Sequence, residues 1–439
     1  MTQLPDRQLV LAGHLIKPRM EFSGTVSPAI GGGQGGDAGD WAIVPNAYYA
    51  FRVTPRLHAG IGLNAPFGLS TEYDSGWVGR TQAIKSEVKT INLNPSIAYK
   101  LNDALSLGAG LNIQHIEATL TNQAHPSFNT SHIEIKGDDY GWGFNLGALW
   151  RVSADTRIGL AYRSKVDYTL EGDATVTGFA GVPSGPVTAD ITMPDTASLS
   201  FFHKLSPKWD LLADVTWTGW STFDELRIVR TSGALLSSTQ EHWDNTLRYS
   251  LGATWHKNDR LSLRGGIAYD DSPVSDAYRT PRIPDGPRTW LAVGGQYRVN
   301  PRGTVDFGYA HLFVKNIALN STSGGSSDTE LNELAVLPTS SPLGPRAVMT
   351  VTPVAKVPRA ERKARWSMGW DIPRVVAELR PLARGSGSLR NGAILDRRWM
   401  AHSIDWQSHH EGQKDRNQKQ GGKNNIESPA YPWLLERMG

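Results

Sequence analysis

This 439-residue chain has 12 histidines and no cysteine, which narrows the chemistry open to it. Without thiols there is no disulfide framework and no thiolate metal site. His115 lies two residues from Glu117, a spacing that puts both on one face of a strand, and His203 and His311 share that outward phase in their own segments. A lipid hydrolase mounted in a barrel wall would use such histidines, but it also needs a nucleophile within reach of the base. No serine pairs with them in the sequence, so these are read as histidines at a membrane–water boundary. The expectation is therefore no enzyme, no catalytic residue, no metal and no cofactor.

Basic residues suggest another chemistry. Residues 326–439 carry 17 Lys and Arg against 12 Asp and Glu, so in a chain of net charge +3 the rest is near −2. Runs such as Arg359 to Arg365 and Lys414 to Lys423 read as solvated or disordered sequence. Nucleic-acid binding would need interleaved aromatics or a known motif, and neither is present. No nucleic-acid partner is expected.

The elements that position everything else are strands. From Leu57 to Leu69 every odd residue is apolar and the even ones are small, polar or Pro, which gives one greasy face and one polar face. The pattern returns at Ile91, Leu93, Ile97 and Tyr99, then at Leu105, Leu107, Ala109, Leu111 and Ile113. A soluble sandwich and a membrane barrel both fit such alternation. Loop lengths separate them. Short connections fall at Thr54–Arg56, Asn102–Asp103, Ser153–Asp155, Ser206–Lys208, Lys257–Arg260 and Asn300–Arg302. Long stretches alternate with them at 23–40, 70–85, 120–139, 171–195, 221–242 and 271–287. Outer-membrane barrels have short periplasmic turns and long outer loops, whereas a sandwich does not sort loop length by end.

Aromatic spacing agrees. Trp142 and Trp150 share the apolar phase of one strand, and Trp209 and Trp217 that of another. Eight residues at ~3.3 Å, tilted by ~40°, cover roughly 20 Å of membrane normal, close to an apolar band flanked by aromatic girdles. The chain is only 39% hydrophobic and has no apolar run long enough for a membrane helix of ~20 residues. The fold class expected is all-β: an antiparallel transmembrane barrel.

Thirteen strands are expected, at about 8–22, 41–53, 57–69, 86–101, 105–119, 140–152, 156–170, 196–205, 209–220, 243–255, 261–270, 288–299 and 304–313. A closed bacterial barrel takes an even number, and an open edge in lipid costs several kcal/mol per unpaired group. Beyond about Leu334 the alternation stops. The expected organisation is a barrel over 1–325 and an irregular basic tail over 326–439, without a closing strand and consistent with a frame slip near Leu334.

Several motifs carry a resemblance. Val44-Pro45-Asn46-Ala47-Tyr48-Tyr49, Asn64 to Tyr73, Trp77-Val78-Gly79-Arg80 and Thr90 to Ser96 resemble the long-chain fatty-acid and aromatic-hydrocarbon transporters of Gram-negative outer membranes, the FadL/TodX-like family. Ala161 to Ser164, Asp270 to Val274, Ile283-Pro284-Asp285 and Gly308-Tyr309 continue the match over about 5–330. The resemblance implies a fourteen-stranded barrel that carries hydrophobic molecules inward. It also implies a signal peptide and an N-terminal plug, and the sequence from Met1 looks like that following such a plug.

The family solution implies a groove among the outer loops, a lumen site and a sideways exit through the wall. Pro66 cannot donate to a ladder and Gly68 suits a bulge, so Pro66, Phe67 and Gly68 are the expected wall kink. Phe128, Phe179, Val182 and Val187 offer apolar surface in the loops. Relatives hold the carboxylate with lumen Arg and Lys, whose positions in register are Asn122 and Thr239 here. That pair does not carry over, and Arg248, Arg279, Arg282 and Arg288 are the alternative cations. Expected partners are a long-chain fatty acid or aromatic hydrocarbon, with outer-membrane lipid and lipopolysaccharide around a monomer. Two alternatives stand beside this reading: a general porin for polar solutes, and a non-functional truncated product. Gly60, Gly62, Asn64, Asn92, Asn94, Ser96, Gly108, Gly110 and Asn112 on the inward phase predict a narrow or filled lumen rather than a porin's rings of charge.

Overall fold

Alternating side chains dictate a sheet with two unlike faces, and the computed structural model closes that sheet into a ring. It describes residues 1–4, 6–26, 30–301, 303–314 and 317–319, with the backbone alone of Leu331–Ala335 and Val354–Ala355. The described residues all fall within one of the two units into which the chain divides.

Thirteen antiparallel wall strands follow one another in chain order among the described residues. They are β1 (Arg7–Ile16), β2 (Ala42–Arg52), β3 (Leu57–Asn64, resuming at Gly68–Glu72), β4 (Lys85–Lys100) and β5 (Leu105–Asn122). Next come β6 (His132–Arg151), β7 (Thr156–Arg163, resuming at Val166–Thr177), β8 (Gly185–Met193 and Thr196–Ser206) and β9 (Trp209–Thr218 and Glu225–Arg230). The last four are β10 (Leu235–Gln240 and Thr246–His256), β11 (Leu261–Asp270), β12 (Arg288–Asn300) and β13 (Gly303–Val314).

Between β1 and β13 lies a two-residue rung. Val354–Ala355 pairs antiparallel with Val10 and Leu9 on one side and with Thr304 and Gly303 on the other. The remainder of the expected tail from 336 onward lies outside the described residues. Leu331–Ala335 forms a small second sheet with Glu21–Phe22 and Ile317–Leu319.

The faces are inverted relative to a water-soluble protein. Ile61, Leu63, Ile91, Ile97, Leu111, Leu251 and Leu291 are exposed, while Asn64, Asn92, Asn112 and Gln114 are buried. Each large apolar side chain left in water would forgo about 1.5–3 kcal/mol of burial, whereas a hydrocarbon surround satisfies it. Inside, Asn92 donates to Asn64 at 3.3 Å and to Asn112 at 3.2 Å, and Asn94 donates to Asn145 at 2.7 Å. This amide ladder crosses β3 to β6 and fills that side of the lumen. Met1 and Thr2 turn into the inner mouth, where the Met1 sulfur faces Gly60 and Thr2 donates to Ser106 at 2.8 Å.

Aromatic rings band the wall. Tyr249 and Tyr269 are exposed toward the outer ends of their strands, Tyr140 and Trp142 midway along β6, and Tyr99, Trp150, Trp209 and Tyr297 toward the inner ends. Rings with a polar tip suit the headgroup boundary.

The long outer segments differ from expectation. Residues 120–139, 171–195 and 221–242 are largely strand: β5 and β6 run out to Asn122 and back from His132, and the second segments of β7 to β10 form hairpins beyond the wall. The reason is that alternation persists there. Ala174 is buried while Asp173 and Thr175 are exposed, and Val187 and Ile228 are buried in the segments beside it. Over the mouth, Met20, Phe22, Val26, Tyr73, Trp77 and Leu319 pack into an apolar cap, with Trp77 stacked on Tyr73 at 4.1 Å. Arg80 ties the cap down through Gln123 and the Gly31 carbonyl.

Candidate functional site

The wall is interrupted at β3. Its ladder with β2 ends at Ala47 opposite Leu63, yet β2 continues to Ala42, paired there only with β1 among the described residues. Beyond the break, Gly68–Glu72 pairs, among the described residues, with β4 alone. Asn64 lies opposite Asn92 and Gly68 opposite Lys89, so four steps of β3 match three of β4 and one residue is extra. That is the count of a bulge. Pro66 has no N–H to give, and the Thr90 side chain stands in for the ladder. Its hydroxyl donates to the Phe67 carbonyl at 2.7 Å and accepts from the Phe67 N–H at 2.9 Å. Pro66, Phe67 and Gly68 thus lie in this interruption, with a gap in pairing beside it.

Phe67 turns inward from this break onto an apolar cluster of Ile116, Val166, Tyr168, Leu170 and Met193. From Phe67 a line of rings crosses toward the opposite wall. Phe67 meets Trp220 edge-on at 5.8 Å, Trp220 meets Trp243 at 5.0 Å, and Trp243 meets Phe223 at 4.9 Å. Trp220 belongs to a short turn (Trp220–Thr222) that carries β9 inward. An apolar molecule moving along these rings stays in low-dielectric surroundings until it reaches the wall. Sequence reasoning missed Trp220, Phe223 and Trp243. Their signal is the unusual density of rings at Trp217, Trp220 and Phe223.

The loop residues separate into two groups. Phe128 and Phe179 meet at 5.2 Å with His125 against both, at the tips of the β5–β6 and β7–β8 connections. Val187 is buried elsewhere, with Ala174 and Ile228 between neighbouring hairpins. Val182 is half-buried near the same tip as Phe179.

Three of the four candidate cations already have partners. Arg279 pairs with Asp276 and donates to the carbonyls of Asp285, Ala318 and Val274. Arg288 pairs with Asp270 at 3.1 Å and Asp285 at 3.2 Å. Arg282 donates to Asn122 at 3.1 Å and Ser86 at 3.2 Å, bringing a guanidinium to the Asn122 position; Thr239 sits in the outer β9–β10 hairpin. Desolvation pushes Arg282 down to about 10, so it stays charged at neutral pH. Near it Glu241 is buried, and desolvation lifts its carboxyl to about 7 against the opposing pull of the Trp243 N–H and the Arg282 charge. Arg248 is buried beside Asp270, whose carboxylate its charge favours, and among the described residues no hydrogen bond reaches its Nε or Nη2.

Residues 1–340 match the family described as outer membrane protein transport protein (OMPP1/FadL/TodX). The chain belongs to this family. It is 32% identical over 329 residues to outer membrane protein P1 of Haemophilus influenzae, covering 67% of this chain and 71% of that one. It is 29% identical over 326 residues to the long-chain fatty acid transport protein of Escherichia coli O6:H1, covering 65% and 73%. Among solved structures, a Pseudomonas aeruginosa FadL homologue aligns with a TM-score of 0.70 at 24% identity, over 80% of this chain and 90% of that one. The Ralstonia pickettii toluene transporter TbuX aligns at 0.58 with 20% identity, over 81% and 91%. At these identities the structural likeness speaks for the barrel fold.

Membership in the OMPP1/FadL/TodX family places the chain in the bacterial outer membrane and among transporters, not enzymes. The histidines fit that assignment. His115 contacts Asp138 and packs tilted against Tyr140, His203 contacts Thr156, and His311 contacts Tyr309. His256 does bridge Ser262 at 2.9 Å and Asp210 at 2.6 Å, a contact the sequence did not suggest. Ser262 lies within the β10–β11–β12 ladder, whose backbone N–H groups are engaged, so none is aimed as an oxyanion hole.

Proposed function

We propose that the protein carries hydrophobic molecules, long-chain fatty acids or aromatic hydrocarbons, inward across the outer membrane and releases them sideways through the break in β3. The observation that carries this reading is the inward turn of Phe67 at the break, joining a gap in the wall to an apolar cluster and a line of rings. An acyl chain gains about 0.8 kcal/mol for each buried CH2, so a route that never offers bulk water is downhill throughout. Phe128 and Phe179 supply the first apolar surface among the loops, with Val182 near the same tip, while Val187 stays buried between neighbouring hairpins. The relatives agree in kind: one is named for long-chain fatty acid transport, and a structural neighbour for toluene. The transporting unit in this reading is residues 1–325, a monomer surrounded by outer-membrane lipid and lipopolysaccharide.

A general porin is disfavoured by the amide ladder across the lumen and the cap over the mouth. The test is paired. Cells expressing the chain should take up labelled oleate or toluene faster than cells without it, while planar bilayers holding the protein should show no large steady channel. Wide ohmic channels with no gain in uptake would establish the porin instead.

A further inference from the structure

Three prolines lie on the strands around the break, and each lacks its N–H toward a different neighbour. Successive N–H groups of a strand point to opposite edges, so one ladder bond fixes the direction of the rest. On β2 the Arg52 N–H reaches the Asp6 carbonyl at 2.7 Å, on the β1 side, and the Val53 N–H reaches that of Leu57 at 2.8 Å, on the β3 side. Pairing with β1 runs from Phe51 to Ala42 without a shift of register. Odd-numbered residues of β2 therefore donate toward β3, and Pro45 is one of them. The last pair of the β2–β3 ladder is Ala47 with Leu63, and the next hydrogen-bonded pair in that register would be Pro45 with Ala65. A proline nitrogen has no hydrogen to give there.

The other two prolines face elsewhere, and side chains compensate for them. The Lys100 N–H takes the Arg56 carbonyl at 2.8 Å, so even-numbered residues of β3 bond toward β4. Pro66 thus lacks its donor on the β4 side, where the Thr90 hydroxyl bonds Phe67 instead. On β4 the Leu101 N–H reaches the Leu105 carbonyl at 3.0 Å, so odd-numbered residues donate toward β5. Pro95 is one of these, and the β4–β5 ladder skips Asn94 and Pro95. In register Pro95 would have met the Leu111 carbonyl, and Asn94 Nδ2 donates to that oxygen at 2.7 Å. Among the described residues no side chain does the same for Pro45. Asn46 beside it is buried with an unpartnered Oδ1, and the ladder stops.

We propose that Pro45 is a positioning residue for sideways release: it ends the β2–β3 ladder and keeps the gap beside the break open. This rests on the lateral route proposed above and extends it from β3 to β2. Pro66 shapes the bulge against β4, whereas the open edge belongs to Pro45. A donor at position 45 would form one more pair, with Ala65, and draw β3 back onto β2 at the inner edge of the gap.

Pro45→Val in the full chain tests this by two measurements: amide hydrogen exchange in detergent micelles, read by mass spectrometry, and uptake of labelled oleate or toluene by expressing cells. The Ala65 amide should exchange at least about tenfold more slowly than in the parent. Uptake should fall several-fold. Pro95→Val restores a donor at an edge already bridged by Asn94 and should leave uptake at the parental level. Pro45→Ala restores the same N–H and decides the matter if the valine variant does not fold. Unchanged exchange at Ala65 in a folded Pro45 variant, or an equal loss of uptake in Pro95→Val, overturns the role of Pro45. Slowed exchange with parental uptake instead upholds Pro45 as the end of the ladder and counts against the lateral route on which its role in release rests.

Discussion

A single hydroxyl holds the β3 break in shape. Thr90 replaces two ladder bonds at Phe67, so Thr90→Val leaves both backbone groups unpaired and should cost about 1–3 kcal/mol, with Thr90→Ser restoring most of it. Heat-denaturation midpoints in detergent would read this, and an unchanged midpoint for the valine variant would contradict it. Glu241 gives a second residue-scale prediction. Its folded carboxyl titrates near 7 against an ordinary value of 4.5, so between those values the folded protein binds more protons than the unfolded chain. Raising pH therefore removes stability, fully present below about 4.5 and lost through about 7, to a total on the order of 3 kcal/mol. Glu241→Gln should flatten that decline. A wild-type midpoint that rises from pH 5 to pH 8 relative to the glutamine variant would reverse the assigned sign.

At the scale of elements, the sequence shows the wall well and the outer hairpins poorly. Leu57 to Leu69 alternates so cleanly that its facing and its interruption near Pro66 both follow from residue types. The segments 171–195 and 221–242 are rich in polar residues, and polarity masks an alternation that Ala174, Val187 and Ile228 still keep. Cross-strand neighbours were the least legible: nothing in the spacing of Arg248 and Asp270 shows that they stand opposite one another, because register across strands is set by turns. The wall itself is testable. Leu251 lies mid-strand and Val299 at the inner end of β12, both exposed outward. Leu251→Arg should destabilise by about 2–4 kcal/mol and Val299→Arg by about 0–1, since charge on the lipid face costs most at mid-bilayer. Equal costs measured by denaturant unfolding from lipid vesicles would argue against the assigned depth.

For the whole molecule, the account joins an inverted barrel, a lumen filled by side chains and one gap in the wall. The amide ladder fills one side of the lumen, and in the proposed route rings and aliphatics lead from the loops toward the break. In the proposed route cargo is sorted by solubility, because only a molecule content in hydrocarbon would gain by leaving through the wall. The central claim is that Pro66 and Gly68 keep that wall open. Uptake of labelled oleate or toluene by cells expressing the chain with Pro66→Val and Gly68→Val, measured beside the parent, tests it most directly. The account predicts that uptake falls to the level of cells lacking the protein, while the folded barrel remains in the outer membrane with its heat-shifted gel mobility intact. Uptake unchanged in a correctly folded double variant would contradict the lateral route.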